Sequence, residues 1–294
     1  MSSHLRLATR GSPLALHQAE FVASRLIETI PGTTCELVIV ETSGDANTAT
    51  PLSVLGGQGI FAKEVQLAVL DGRADIAVHS AKDLPSATPP GLELACVPQR
   101  VDPADALVGR SLAGLGPGAT VATGSPRRRA LLQAMRPDLN IVELRGNMAT
   151  RFSKAGRDGI DAIVAAMAAL DRLGSADLIG ERLDPEFFTP QVGQGALALE
   201  TRQGDALGEL LGRIDDATAR QCLVAERAFL VGIGAGCSVP AGAWCTSDGD
   251  QFHLRAVMAS KEGTLERASL FGSDPAGLGL AAAQSFSHLL VEGA

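Results

Sequence analysis

An α/β fold in more than one domain is what this sequence predicts, and three observations carry the prediction. Strand-like runs alternate with helical spacings from residue 5 to about 98, the rhythm restarts beyond 99–105, and its character changes from about residue 217. A chain of 294 residues corresponds to about two or three domains. Hydrophobic residues make up 46%, enough for real cores, which excludes a disordered chain.

The stretch "LRLAT" at 5–9 alternates as a strand does and breaks at Arg10-Gly11. Ser12 is a good N-cap and Pro13 suits the first helical position. A helix therefore opens there and keeps its apolar spacing through Leu16, Ala19, Val22, Ala23 and Leu26 to about Ile30. "CELVIVET" at 35–42 is the next strand. The polar, glycine-rich stretch 43–59 is long for a plain connection, and loops of that length usually serve function. A helix over 60–72, a strand over 74–80 that runs into "AKDLP", and a strand over 92–97 follow. Such alternation implies parallel βαβ units with right-handed crossovers.

"QRVDPAD" at 99–105 reads as a linker. Beyond it, "ATVATGSPRRRALLQAM" at 119–135 is strand, tight turn and helix, with Ser125 as N-cap and Pro126 in the first turn. "NIVELRG" at 140–146 is a strand, 161–174 holds a short strand and a helix, and "GQGALALET" at 193–201 is a strand after a glycine turn. From about 217 one helix precedes the β-like pieces "AGAWCT", "FHLRAVMA" and "TLERASLF", and a last helix closes a small α+β domain. The expected division is 1–98 with 195–216, then 99–194, then 217–294.

A formal net charge of −8 argues against broad phosphate-backbone binding, so no nucleic-acid partner is expected. The cluster Arg127-Arg128-Arg129 still leaves room for local anion sites. The cysteines (Cys35, Cys96, Cys222, Cys237 and Cys245) are odd in number and lack C-x-x-C spacing, so neither a disulfide framework nor a metal site is expected. "MSSHLRLATRGSP" has no apolar signal region, and the apolar run at 163–170 is too short to span a bilayer. The reading is a soluble, reduced, cytoplasmic protein without a membrane partner.

Basic or small polar residues stand just beyond a predicted strand at four places: Arg10-Gly11-Ser12, Ser80 to Asp83, Thr123 to Arg128, and Arg145-Gly146-Asn147. In open α/β sheets ligands bind at the carboxyl ends of strands, and helix N-termini attract anions. Arginine adds bidentate carboxylate recognition. Any one such site reads equally well as a cap or a solvated arginine; the recurrence at equivalent strand ends favours a small polyanionic ligand held in a cleft between two α/β domains. In "VHSAKDLP", Asp83 and Lys82 follow a strand. A lone carboxylate among arginines can stabilise a cation or hold a ligand N–H, and the bland alternative is a turn in which Asp83 bonds its own backbone. His79 reads as a packed, satisfied histidine. Cys237, in "VGIGAGCSVPAG", is open to several readings: nucleophile, ligand, attachment point or apolar filler. A thiol-hydrolase set with His79 and Asp83 has no supporting motif.

The stretches "ATRGSPLAL", "TPL…GG.G.FAKE", "ADIAVHSAKDLP", "GS.RR", "LRGN..TR", "VGQGAL", "AERAFL" and "GCSVP" together resemble the porphobilinogen deaminase (hydroxymethylbilane synthase) family, in family order over about residues 5–245. The resemblance implies two periplasmic-binding-type α/β domains around a cleft, with a third α+β domain. It implies polymerisation of porphobilinogen, with release of ammonia, into a linear hydroxymethyl tetrapyrrole. The primer would be a dipyrromethane cofactor joined by a thioether to Cys237. By the same resemblance Asp83 is the catalytic carboxylate that stabilises the azafulvene cation. Arg10, Ser12, Arg127, Arg128, Arg145, Arg151 and Arg172 meet substrate carboxylates, and Ser80, Lys82, Thr123, Ser125, Gly146, Asn147 and Gln194 hold cofactor or chain. Phe61 covers the site, and flexibility at 97–103 and 190–195 accommodates the growing chain. A monomer is implied. The sequence departs from the family pattern at Val54 and Gln58, where lysines are usual, and at Ala122, Gly124 and Ala169, while Arg129 adds a third arginine. A non-catalytic anion-binding module or a slow, diverged paralogue is the competing reading.

Overall fold

The computed structural model describes residues 3–43, 59–144, 146–234, 239–260 and 262–291. The first elements are β1 (Ser3–Arg10), α1 (Pro13–Thr29), β2 (Thr33–Val40), α2 (Lys63–Leu70), β3 (Ile76–Ser80) and β4 (Leu92–Cys96). Next come β5 (Asp105–Val108), β6 (Thr120–Ala122), α3 (Pro126–Met135), β7 (Asn140–Val142), α4 (Met148–Phe152), β8 (Ala162–Ala166), α5 (Met167–Arg172) and β9 (Ile179–Arg182). Then follow β10 (Leu197–Arg202), α6 (Leu207–Leu211) and α7 (Ala217–Gly232). The chain ends in β11 (Ala241–Asp248), β12 (Gln251–Ala259), β13 (Leu265–Gly272), α8 (Pro275–Gln284) and α9 (Ser287–Val291).

Two compact units result, Met1–Val101 with Ala196–Leu223 and Asp102–Gly195 with Val224–Ala294. The division falls inside α7. The first unit holds a sheet in the order β2-β1-β3-β10-β4, with β1 parallel to β2 and β3, and β10 antiparallel to both its neighbours. The second holds a sheet in the order β7-β6-β8-β5-β9, with β6 parallel to β7 and β8, and β5 antiparallel to both its neighbours. The two orders are one pattern. In each sheet the antiparallel strand is the one the chain enters on arriving from the other unit, β5 after β4 and β10 after β9. Each sheet taken by itself has the strand order of a periplasmic-binding-type α/β domain.

Alternation places a different core on each face of each sheet. On the first, Leu7 and Ile76 turn to the α1 side, where Ala19, Val22 and Leu26 meet them, while Ala8 and Ala77 turn to Val65, Ala68 and Val69 of α2. On the second, Leu107, Val121 and Val164 pack on Leu131 and Leu132 of α3, and Ala106, Ala122 and Ile163 pack with Leu170 of α5. Each such fully buried Leu or Ile contributes roughly 1.5–3 kcal/mol.

Three features differ from the sequence reading. The stretch 99–105 is not all linker, because β5 begins at Asp105. Strands β5 and β9 lie outside that reading, being only four residues each. The crossovers are not all parallel: β10 runs antiparallel, and nothing in its apolar run encodes direction, which is set by the side from which the chain arrives. Residues 224–294 cluster in one compact unit with the second α/β sheet. The reason lies in their antiparallel sheet, β11-β12-β13, which contributes Val257 and Leu265 to the core formed by Leu107, Leu131 and Phe188.

A buried charge cluster fixes the start of β5. Asp105, fully buried, accepts at Oδ1 from Arg128 Nε (3.0 Å), Arg128 Nη2 (2.6 Å) and Gln194 Nε2 (2.9 Å), and at Oδ2 from Arg127 Nη2 (2.8 Å). Arg127 Nη1 donates to the Thr189 carbonyl at 2.7 Å, and Arg128 Nη1 to that of Val164 at 3.0 Å. Burial alone would raise the Asp105 pKa; the two guanidiniums outweigh it and hold the carboxyl down to about 2. A depressed carboxylate stabilises the fold above its ordinary value of 3.8, and that stability disappears as pH falls through the window from about 4 to about 2.

Two outcomes are expected. Urea unfolding at pH 5 and pH 3 should show a loss of roughly 1 kcal/mol attributable to Asp105, the rest of its contribution disappearing below pH 3. Carbon NMR of its carboxyl should place the midpoint well under 3.8, and a midpoint at or above that value would mean the guanidiniums do not govern it. Separately, a Cβ placed at Gly279 of α8 would collide with the Ala225 carbonyl, the Ala228 Cβ and the Phe229 nitrogen of α7. Gly279→Ala should therefore lower stability by about 1–3 kcal/mol, and an unchanged urea midpoint would refute so close an approach.

Candidate active site

In the first unit the site residues stand at the carboxyl ends of two adjacent parallel strands. Arg10 is the last residue of β1, and its guanidinium lies over the Phe61 ring, 4.0 Å from the centroid. Such stacking keeps the cation's aliphatic stem packed against the ring. Ser12 caps α1 as the sequence predicts, its Oγ accepting from the Ala15 amide at 3.3 Å, with Pro13 in the first turn. Ser80 ends β3, opposite Leu197 on β10. The chain then makes a single 3₁₀ turn, Ala81–Asp83, pinned by the Ala81 amide donating to the Ala196 carbonyl at 3.0 Å. Lys82 and Asp83 are half-buried. Asp83 makes no hydrogen bond or ion pair with another described residue, so the self-bonded turn considered from the sequence is not formed.

His79 is packed, as read from the sequence, but against a carboxylate. Its Nε2 lies 3.2 Å from Glu200 Oε2, out of hydrogen-bond alignment, and both side chains are buried. Glu200 also accepts from Gln66 Nε2 at 2.7 Å. His79 is thereby committed to the sheet interior, which removes it from a thiol-hydrolase set with Asp83.

In the second unit the turn from β6 into α3 is built by side chains. Thr123 Oγ1 accepts from the Ser125 amide at 3.2 Å, and Ser125 Oγ accepts from the Arg128 amide at 3.4 Å. Pro126 occupies the first turn. A Cβ at Gly124 would stand 2.9 Å from the Leu144 carbonyl and 3.2 Å from Glu143 Oε1, so glycine suits this close approach. Arg127 and Arg128 follow, held by Asp105 as described. Beyond β7, Gly146 has φ 109, a left-handed value that favours glycine, and its carbonyl accepts from Arg151 Nε at 2.7 Å. Asn147 Oδ1 accepts from the Thr150 amide at 2.9 Å. Arg172 closes α5; its Nη2 donates to the Gly195 carbonyl at 3.1 Å, and burial pushes its guanidinium down to about 10. A desolvated arginine bonded to a carbonyl is a cation in want of an anion. Arg145, Cys237 and the stretch 44–58 lie outside the described residues.

Sequence reasoning missed three buried carboxylates. Asp105 fell within the supposed linker. Glu200 sits in the apolar run of β10. Glu226 of α7 accepts from the Gly193 amide at 2.8 Å and from the Cys245 amide at 2.9 Å. The signal that could have found Glu200 and Glu226 is a lone acid inside an otherwise apolar segment, "ALALET" and "CLVAERAFL". Gly242 has a packing reason. A Cβ there would stand 2.7 Å from Arg127 Cδ and 3.1 Å from the Thr189 carbonyl, so its bareness lets β11 pack on Arg127. Chemically, the second unit presents guanidiniums and a capped helix turn, and the first presents Asp83, a half-buried carboxylate that makes no ion pair with another described residue.

Among the described residues no helix is long and apolar enough to cross a membrane, and no group of three His, Cys, Asp or Glu side chains is placed to hold a metal ion. Cys35 is half-buried and Cys96, Cys222 and Cys245 are buried, none of them in a disulfide; burial pushes the Cys96 thiol up to about 12.

Comparison with known proteins agrees along the chain. Residues 5–209 match the family described as porphobilinogen deaminase, dipyromethane cofactor binding domain, and residues 220–287 match porphobilinogen deaminase, C-terminal domain. A porphobilinogen deaminase from Roseiflexus castenholzii is 45% identical over 97% of this chain and 96% of its own length. One from Stenotrophomonas maltophilia is 45% identical over 94% of this chain and 93% of its own. The solved methionine binding protein MetQ is 17% identical, covering 74% of this chain and 90% of its own with a TM-score of 0.45; the fold assignment rests on the strand orders above. With both of the family's domains matched in order and such relatives covered end to end, the chain belongs to the porphobilinogen deaminase family.

Proposed function

We propose that this chain condenses four molecules of porphobilinogen, with loss of ammonia, into the linear tetrapyrrole hydroxymethylbilane, using a dipyrromethane primer joined by a thioether to Cys237. The observation that carries the reading is the match to both family domains over nearly the whole chain. The donor set fits the ligand. Each pyrrole ring carries an acetate and a propionate, and the second unit presents Arg128, the desolvated Arg172 and the capped first turn of α3. The buried state of Cys96, Cys222 and Cys245, and the raised thiol of Cys96, are consistent with attachment elsewhere, at Cys237. When bound, the dipyrromethane supplies the pyrrole carbon to which the first substrate ring adds.

The remaining work is assigned to the chain's own residues. Arg10, Ser12, Ser80, Lys82, Arg145, Arg151 and Arg172 hold and orient ring carboxylates. Thr123, Ser125, Arg127, Arg128, Gly146, Asn147 and Gln194 shape and support the anion site of the second unit. Phe61, stacked on Arg10, shields the reacting group from water. Asp83 stabilises the cation formed when ammonia leaves porphobilinogen. It suits that role because it makes no ion pair with another described residue and because it is half-buried. An opposite charge about 4 Å away at an effective dielectric near 20 is worth about 4 kcal/mol, roughly a thousand-fold in rate. The same reading takes the protein to be a cytoplasmic monomer of three domains, 1–98 with 195–216, 99–194 and 217–294, with no nucleic-acid or membrane partner.

Two measurements check it. Intact mass under denaturing conditions, on protein from cells that supply porphobilinogen, should exceed the polypeptide by two linked pyrroles, and Cys237→Ala should lose that excess. A bare polypeptide mass would favour the anion-binding module instead. Asp83→Asn preserves shape and removes charge; its fold should persist while turnover falls about a hundred- to a thousand-fold. Near wild-type turnover would sink the role given to Asp83.

A further inference from the structure

We propose that Asp105 is a positioning residue for the anion site of the second unit: it aims Arg128 at ligand carboxylates and, through Arg127, seats β11. The inference rests on the function proposed above and adds a residue to its machinery.

The geometry begins with a charge imbalance. One buried carboxylate lies between two guanidiniums, 2.8 Å from Arg127 Nη2 and 2.6 Å from Arg128 Nη2. The cluster therefore keeps one positive charge in excess. Both arginines stand in the first turn of α3, where the helix dipole is also positive and acids, not bases, are favoured. An arrangement that is unfavourable twice over is retained where an anion arrives to complete it.

The two arginines are not equivalent. Arg127 has a side chain 4% exposed and bonds Asp105 and the Thr189 carbonyl, so it is an internal brace. Its Cδ lies where Gly242 of β11 leaves room, which ties that strand to the bracket. Arg128 has a side chain 12% exposed. Asp105 Oδ1 grips it side-on through Nε and Nη2, and the Val164 carbonyl takes one Nη1 hydrogen. A guanidinium has five N–H donors, so three internal bonds fix its plane and leave two N–H groups for a ligand. The same Oδ1 accepts from Gln194, whose Nε2 also reaches the Pro103 carbonyl at 2.7 Å. The segments on which the chain enters and leaves the second unit, 102–105 and 189–195, are thus gathered at the carboxylate that aims Arg128.

The test compares wild type with Asp105→Asn, which keeps the shape and removes the charge. Fold is read by circular dichroism and thermal unfolding, primer occupancy by denaturing intact mass, and the loaded fraction by KM and kcat separately. A positioning role predicts folded protein with primer occupancy at least ten-fold lower, or a KM for porphobilinogen at least ten-fold higher with kcat changed far less. Folded Asp105→Asn with wild-type occupancy and wild-type KM overturns the proposal. Where Asp105→Asn does not fold, Asp105→Gly is refolded with porphobilinogen in formate or in chloride of equal ionic strength. Primer loading that depends on formate supports a carboxylate role at this position, and its absence overturns it. A bare wild-type mass would instead indict the proposed function, so the two failures are distinguishable.

Discussion

Two guanidiniums share one buried carboxylate at the first residue of β5, and much of the second unit is arranged around that contact. Taking three charges out of water is expensive, and an apolar replacement of similar volume would often be as stable. What an apolar cluster cannot do is gather polar backbone from distant parts of the chain. Through Asp105, Arg127 and Gln194, carbonyls at 103 and 189, outside any strand or helix, find side-chain donors. Glu226 does the complementary job, offering acceptors to the amides of Gly193 and Cys245. The segment 189–195 is thereby held from one side by donors and from the other by an acceptor. Irregular chain next to a core must satisfy its backbone somehow, and here two charged side chains and their partners do it.

The strand orders explain why irregular chain has to pass there at all. Each sheet takes in one antiparallel strand from the chain's arrival out of the other unit. The remaining strands stay parallel, so their carboxyl ends lie together at one edge. Arg10 and Ser80 end adjacent strands β1 and β3, and Thr123 follows β6 beside β7 and β8. Within each unit, candidate residues far apart in sequence come to one sheet edge because they occupy the same topological position. Loops at that edge are free to vary in chemistry while the sheets fix their bases.

Much of this was legible without coordinates. Serine followed by proline marked the starts of α1 and α3, because the cap hydrogen bond and the fixed proline φ are local chemistry. The strand ends carrying Arg10, Asp83 and Thr123 were legible for the same reason: a break in alternation is a local event. The sense of β10 was not, since a strand buried on both faces reads alike in either direction. Nor was Asp105. After a proline and before three apolar residues it looks like linker, and its meaning depends on Arg127 and Arg128, more than twenty residues on, and on Gln194, far beyond them. Gly242 belongs to the same class. Its bareness answers to Arg127, a residue of another element.

The charge pattern can be carried one step further. An acidic protein that binds polyanions must concentrate its cations where the ligand lies, and counting arginines overstates how many are available. Arg127 is spent inside the unit, so the pair Arg127-Arg128 offers the ligand about one net charge against Asp105. Arg172, by contrast, hydrogen-bonds a carbonyl and is strongly desolvated, which makes it the costlier cation to leave without an anion and the one with more to gain from a carboxylate. Affinity for ring carboxylates in this unit is therefore governed by which guanidiniums the fold leaves under-neutralised. On that ground the third arginine of the run, Arg129, adds little: it donates to the Ile141 carbonyl and lies 3.8 Å from Glu143, and a part-exposed pair of this kind contributes at most about 1 kcal/mol.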